Sequence, residues 1–164
     1  MIRPAKNEDM QWVVHTWLAA FADSDAAMLV TPRDPEHTRR CDVCGQHRIL
    51  RGAEGRAHPG NEYWRGHRRL VELLLTRSAV TIAEADDGLL DGFMVHTLSD
   101  GVPVVHFLYV RLSARERGVA KALVSTLGPA QRILYTHRPR GLKAARLPKQ
   151  FVYDHYQLYW SLAA

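Results

Sequence analysis

Trp12, Val13, Trp17, Leu18 and Phe21 recur at three- and four-residue spacing and predict the apolar face of a helix over about residues 10–22. Ahead of it, Ile2 to Ala5 reads as a short strand. Asn7-Glu8-Asp9 supplies helix-start residues whose carboxylates suit the positive end of the helix dipole. A second face of Tyr63, Trp64, His67, Leu70, Val71, Leu74 and Leu75 predicts a helix over Asn61 to Arg77. The pattern then shortens to strands at Ala79 to Ala85 and Leu90 to Leu98, around an Asp86-Asp87-Gly88 turn. After Ser99-Asp100-Gly101 comes the continuous apolar run Val102 to Val110, which reads as a central strand. A helix is expected over Ala114 to Leu127, stopped by Gly128-Pro129. A strand at Ile133 to His137, a short helix at Gly141 to Arg146 and a last strand at Phe151 to Leu158 complete the reading. The expected class is α+β, a mixed sheet with helices packed on it.

Between the first two helices the period disappears. Pro32, Pro35, Gly45, Gly52, Gly55, Pro59 and Gly60 interrupt residues 31–60, which read as a long loop or insertion in a single domain spanning 1–164.

Composition narrows the class. With 164 residues, 46% hydrophobic and 24% charged, the chain can bury one sizeable core and is not a disordered chain. Its 11 Gly and 2 Cys exclude a collagen-like or disulfide-dense protein. No apolar run approaches the roughly 20 residues that span a bilayer. The opening Met1-Ile2-Arg3-Pro4-Ala5-Lys6 lacks the apolar core of a signal peptide, so a cytoplasmic protein without membrane contact is expected.

The net charge of +5 is distributed unevenly. Residues 111–149 hold ten basic residues and one acid, Glu116, while residues 33–69 hold nine Arg and five acids. Arg outnumbers Lys by 18 to 4, which suits bidentate phosphate contacts and equally fits a GC-rich genome.

The chemistry concentrates in residues 106–124. An apolar strand ends at Val110, a short loop follows, and Arg115-Glu116-Arg117-Gly118-Val119-Ala120 opens an amphipathic helix. Unpaired amides at a helix start can cradle a phosphate, and Gly118 lets the backbone approach it. Arg115 and Arg117 add charge-assisted donors. A pyrophosphate is the natural ligand; an ordinary strand–loop–helix with solvated Arg is the alternative.

This stretch resembles motif A of the GCN5-related N-acetyltransferase (GNAT) superfamily, a Leu-x-Val strand end followed by Arg/Gln-x-x-Gly-x-Gly/Ala. Leu108, Val110, Arg115, Gly118 and Ala120 fall in register with it. Ile2-Arg3-Pro4-Ala5 with Glu8-Asp9 resembles the common GNAT opening, and Asp91-Gly92-Phe93-Met94-Val95 the family's third strand. The resemblance covers roughly residues 1–137. It implies a three-layer GNAT fold whose central mixed, twisted sheet splays between its fourth and fifth strands. It also implies acetyl-CoA as co-substrate. Amides and side chains of Arg115, Glu116, Arg117, Gly118, Val119, Ala120 and Lys121 would hold the pyrophosphate. Backbone groups of Leu108, Tyr109 and Val110 would line the pantetheine arm. The implied reaction is direct acetyl transfer to an amine, with no covalent enzyme intermediate.

Such transfer needs a proton acceptor for the amine and often a donor for the leaving thiol. His106 lies four residues before Val110, where many members of the family place a Glu, and is the candidate base. The alternative is a histidine satisfied inside a buried strand. His96, on the preceding strand, is a second candidate. Tyr153 and Tyr156, with Tyr159, are candidates for the acid; the family's usual Tyr-x-x-x-Gly-Phe ending is missing here.

Two readings concern the rest of the chain. His37, Cys41, Cys44 and His47 carry metal-ligand residue types in close succession, and Cys41-x-x-Cys44-Gly45 resembles a zinc knuckle. Two reduced cysteines in an exposed loop are the alternative. Arg138, Arg140 and Lys143 form a basic loop that could track a nucleic-acid backbone. Three functions therefore compete: an acetyl-CoA-dependent N-acetyltransferase for an amine of unidentified class, a Mom-like enzyme that modifies a DNA base, and a degenerate, non-catalytic CoA-binding module. The sequence does not specify an oligomeric state.

Overall fold

The structure, a computed structural model, describes residues 1–21, 62–137 and 147–163 of the chain. The insertion at 31–60 and the expected helix at 141–146 lie outside the described residues. In chain order the elements are β1 (Ile2–Pro4), α1 (Asn7–Phe21), α2 (Glu62–Leu75), β2 (Ala79–Glu84), β3 (Leu90–Ser99) and β4 (Val102–Val110). A 3-10 turn at Leu112–Ala114 follows, then α3 (Val119–Ser125), β5 (Ile133–Tyr135), β6 (Phe151–Tyr153) and α4 (Tyr156–Ala163).

The six strands form one sheet in sequence order, β1 to β6. The first four make an antiparallel meander, and β5 and β6 then add in parallel. Asp100 and Gly101 both have positive φ (50° and 78°), as the tight β3–β4 turn requires.

Alternation along the strands sorts side chains into two cores. Ile82, Phe93 and Val95 join Val13, Trp17 and Leu18 of α1, Val71 and Leu74 of α2, and Leu158 of α4. Ala83, Met94 and Val105 take the opposite face, against Leu123 of α3 and with Ile133 and Tyr135 of β5. Helices thus cover both faces of a mixed sheet, giving three layers.

The start of α1 is held by charge. Asp9 accepts from the Lys6 amide at 2.7 Å, so the carboxylate caps the helix it belongs to. It also receives two bonds from Arg3, at 2.6 and 3.1 Å, and Arg3 bonds Glu84 of β2. One guanidinium therefore ties β1, α1 and β2 together. It also holds the Asp9 carboxyl below its usual range.

Two elements differ from the sequence reading. The expected helix 114–127 is shortened to Val119–Ser125, because Glu116 (φ 65°) and Gly118 (φ 81°) adopt left-handed backbone that a right-handed helix excludes. The expected strand 151–158 ends at Tyr153, and a helix begins at Tyr156. Asp154 makes the break: its carboxylate accepts from the Tyr156 amide (3.1 Å) and from the Gln157 side chain (3.3 Å). Leu158 then buries itself beside α1 and α2.

Candidate active site

The sheet opens where β4 should continue to pair with β5. Only Val104↔Leu134 and Val105↔Tyr135 are in register, and beyond Val105 the two strands part. His106 sits at the fork. On its other side β3 pairs Val95 with Phe107 and His96 with Val105, so His106 is an extra, bulged residue. Its carbonyl is capped by the Thr136 hydroxyl at 3.3 Å and by the His137 ring. The Thr136 hydroxyl also lies 2.7 Å from His137 Nδ1. Side chains thus take over the hydrogen bonding of the sheet where the backbone ladder stops.

Past the fork, no described strand pairs with the outer edge of β4. The Arg111 amide donates to the Asp91 carbonyl on the β3 side at 2.8 Å. By alternation Phe107 and Tyr109 direct their backbone groups to β3, and Leu108 and Val110 direct theirs to the open side. The Val110 carbonyl accepts from Arg115 Nε at 3.3 Å instead of from a strand. The Tyr109 side chain packs with Trp12 (6.2 Å between ring centres) and Phe93 (5.9 Å) on the α1 face. Gly92, facing the end of β4, has no room for a side chain: a Cβ there would lie 2.5 Å from the Tyr109 carbonyl oxygen.

The turn after β4 leaves a run of backbone amides unpaired among the described residues. Arg111 anchors its start, bonding the Leu90 carbonyl at 2.7 Å and Asp91 at 3.3 Å. Left-handed Glu116 and Gly118 then fold the chain back on itself before α3. The amides of residues 116–121 donate to no backbone carbonyl among the described residues. Successive free amides in such a turn form a concavity that attracts phosphate oxygens. Arg115, Glu116, Arg117, Gly118, Ala120 and Lys121 are exposed, and Val119 is half-buried. Leu123, fully buried, fixes α3 to the sheet.

His106 is fully buried on the α1/α2 side, with Nε2 3.0 Å from the Thr97 hydroxyl oxygen. Nδ1 has no partner among the described residues. Burial, with the nearby His96, pushes its pKa down to about 4. His137 is likewise pushed down to about 3 by burial, with His106 and His67 adding to the effect. His96, on β3, is lowered by burial as well. All three imidazoles are therefore neutral at pH 7. Phe107 stacks on Trp17 at 4.9 Å, and both rings meet His137 edge-on at 6.1 Å. The result is an aromatic wall around the buried histidines. On the same side of the sheet, a groove of about 860 Å³ runs between α1 and α2, lined by Trp12, His15, Arg68 and Glu72 among others.

The tyrosines are placed apart from His106. Tyr153 packs on Tyr135 (5.4 Å) on the α3 face of the sheet. Tyr156 opens α4 with its side chain exposed. His37, Cys41, Cys44 and His47 lie outside the described residues, as do Arg138, Arg140 and Lys143. Among the described residues no group of three His, Cys, Asp or Glu side chains could hold a metal ion. No described helix is long and apolar enough to cross a membrane.

A meander of four strands, a parallel fifth strand that splays away at a bulge, and an amide-rich turn leading into a helix form a recognisable arrangement. A solved structure of a Pyrococcus furiosus protein assigned as an acetyl transferase is similar in overall fold. The likeness covers 88% of this chain and 85% of that one, at 18% identity and a TM-score of 0.51. The chain has the GNAT fold. A ribosomal-protein-alanine N-acetyltransferase from Brucella melitensis biovar Abortus 2308 also matches, at 20% identity and a TM-score of 0.48, over 89% of this chain and 85% of that one. A Staphylococcus aureus protein assigned to the GNAT acetyltransferases matches at 16% identity and a TM-score of 0.40, over 80% and 96%. No protein-family model matches the chain, and no curated protein matches it. The GNAT fold here departs from the plain sequence reading most at the bulge. Thr97, Thr136 and His137, which surround His106, carried no motif that would have marked them.

Proposed function

We propose that the protein is an acetyl-CoA-dependent N-acetyltransferase acting on an amine. The observation that carries the reading is the junction of the splayed β4 edge with the free-amide turn at residues 116–121. The edge would pair with the amides of a pantetheine arm through Leu108 and Val110. The turn, with Arg115, Arg117 and Lys121 exposed beside it, would take the pyrophosphate.

In this reading the amine nitrogen attacks the thioester carbonyl, and the C–S bond breaks as the amide forms. The products are the acetylated amine and free CoA thiol. His106 takes the proton that the nitrogen sheds. The departing thiolate takes up a proton, for which Tyr153, on the α3 face of the sheet and away from His106, is one candidate. Tyr156 is the second candidate for that step. Among the described residues nothing favours a nucleic-acid acceptor or a non-catalytic role.

Acetyl-CoA should raise the melting temperature of the protein, since a ligand specific to the native state stabilises it. Gly118→Val should abolish that shift, because a β-branched residue resists φ 81° and reshapes the cradle. Release of CoA thiol in the presence of a panel of primary amines then identifies the acceptor. An unchanged melting temperature at millimolar acetyl-CoA refutes the assignment.

A further inference from the structure

Resting on the acetyltransferase reading, we infer that Thr97 is a positioning residue that fixes the tautomer of His106, so that the ring hydrogen sits on Nε2 and the lone pair on Nδ1.

Thr97 lies opposite Val104, two rungs before the bulge, on the same face of β3 as Val95. The extra residue at 106 places the imidazole over Thr97 instead of over the next rung, and Nε2 meets the hydroxyl oxygen at 3.0 Å. Two arrangements satisfy that distance. In the first, Nε2 carries the hydrogen and donates to Thr97. In the second, the Thr97 hydroxyl donates to Nε2, and the ring hydrogen sits on Nδ1.

The surroundings of Nδ1 decide between them. That atom is shielded from solvent and has no acceptor within reach among the described residues. A buried N–H without an acceptor is rarer and costlier than a buried lone pair without a donor. The first arrangement leaves only a lone pair unanswered, and the half-buried Thr97 hydroxyl can rotate its own hydrogen elsewhere. The second leaves an orphaned donor. The first is therefore the ground state, and its free lone pair on Nδ1 is what a proton acceptor requires. Burial keeps the ring neutral at pH 7, so one ring proton has one nitrogen to occupy.

The neighbouring groups leave this assignment intact. His137 and Thr136 are engaged with the His106 carbonyl and with each other, so they hold the bulge in place without competing for the ring. His96 packs on the opposite side of β3 by alternation, opposite Val105.

Nitrogen-15 NMR of histidine-labelled protein reads the tautomer directly, without substrate. The expected wild-type spectrum shows His106 with a protonated Nε2 and an unprotonated Nδ1. Thr97→Val keeps the size and shape of the side chain and removes the hydroxyl; it should shift His106 toward a mixture of tautomers. Thr97→Ser should restore the wild-type signature. A wild-type His106 protonated on Nδ1 overturns the inference, and so does a spectrum that Thr97→Val leaves unchanged. The acetyl-CoA melting shift, measured on the same wild-type sample, separates the two readings: its absence sinks the acetyltransferase assignment, whereas the tautomer alone decides the role of Thr97.

Discussion

Lowering the pH from 7 to 5 should strip this protein of much of its stability, well before its carboxylates protonate. The cause is the pair His106 and His137. Their native pKa values are pushed down to about 4 and about 3, against an ordinary 6.5. The unfolded chain therefore binds more protons than the native one between pH 6.5 and 4, and stability falls as the pH falls through that window. An imidazole of ordinary pKa gains roughly 2 kcal/mol from protonation between pH 7 and 5, while a native group still neutral at pH 5 gains almost nothing. Two such groups remove roughly 4 kcal/mol, a large share of the 5–15 kcal/mol typical of a domain. His96, lowered in the same direction, acts with the same sign. Asp9 works in a separate, more acidic window, because Arg3 holds its carboxyl below the usual 3.8. Urea unfolding at pH 7, 6 and 5 measures the effect. His137→Gln should remove about half of the pH dependence, whatever it does to the absolute stability. Equal stability at pH 7 and pH 5 refutes the reasoning, as does native-state NMR in which both rings titrate near 6.5.

Three further outcomes test the framework of the site. Gly92→Ala drives a Cβ to 2.5 Å from a backbone oxygen that cannot swing aside; it should cost about 3 kcal/mol in urea unfolding by forcing β3 away from β4. Leu123→Ala empties the fully buried anchor of α3 and should cost about 3 kcal/mol, with a weaker melting shift from acetyl-CoA than wild type shows. Asp154→Ala removes the cap that starts α4 and should cost about 1 kcal/mol in thermal or urea unfolding.

Much of this architecture could be read before any coordinates. The meander was legible because strand periodicity and the two Gly-containing turns, Asp86-Asp87-Gly88 and Ser99-Asp100-Gly101, act locally. The turn into α3 was legible because Arg115 to Ala120 combines a strand end, a glycine and a helix start within a few residues. The last element was misread because Phe151, Val152, Tyr153 and Tyr156 have strand-forming side chains, and only the Asp154–Gln157 spacing signals a helix start. The environment of His106 was not legible at all. A bulge leaves no trace in a hydrophobic pattern, since the apolar run Val102 to Val110 reads the same with or without one. The partners of His106 come from β3 and from the end of β5, nine and thirty residues away in sequence. Their meeting depends on register that only the folded sheet sets.

The bulge also separates what the sheet needs from what the chemistry needs. On one side of it β3 residues pair with partners up to Val105, on the other from Phe107 onward, and both halves keep their side chains on matching faces. Removing His106 would let Val105 and Phe107 follow each other directly and would close the ladder as a regular hairpin. Every other side chain of β4 would stay on its present face. The histidine is thus supernumerary to the sheet. Chains with and without it can share one core and one β4 edge, so the buried imidazole can be gained or lost by a single codon without redesigning the fold.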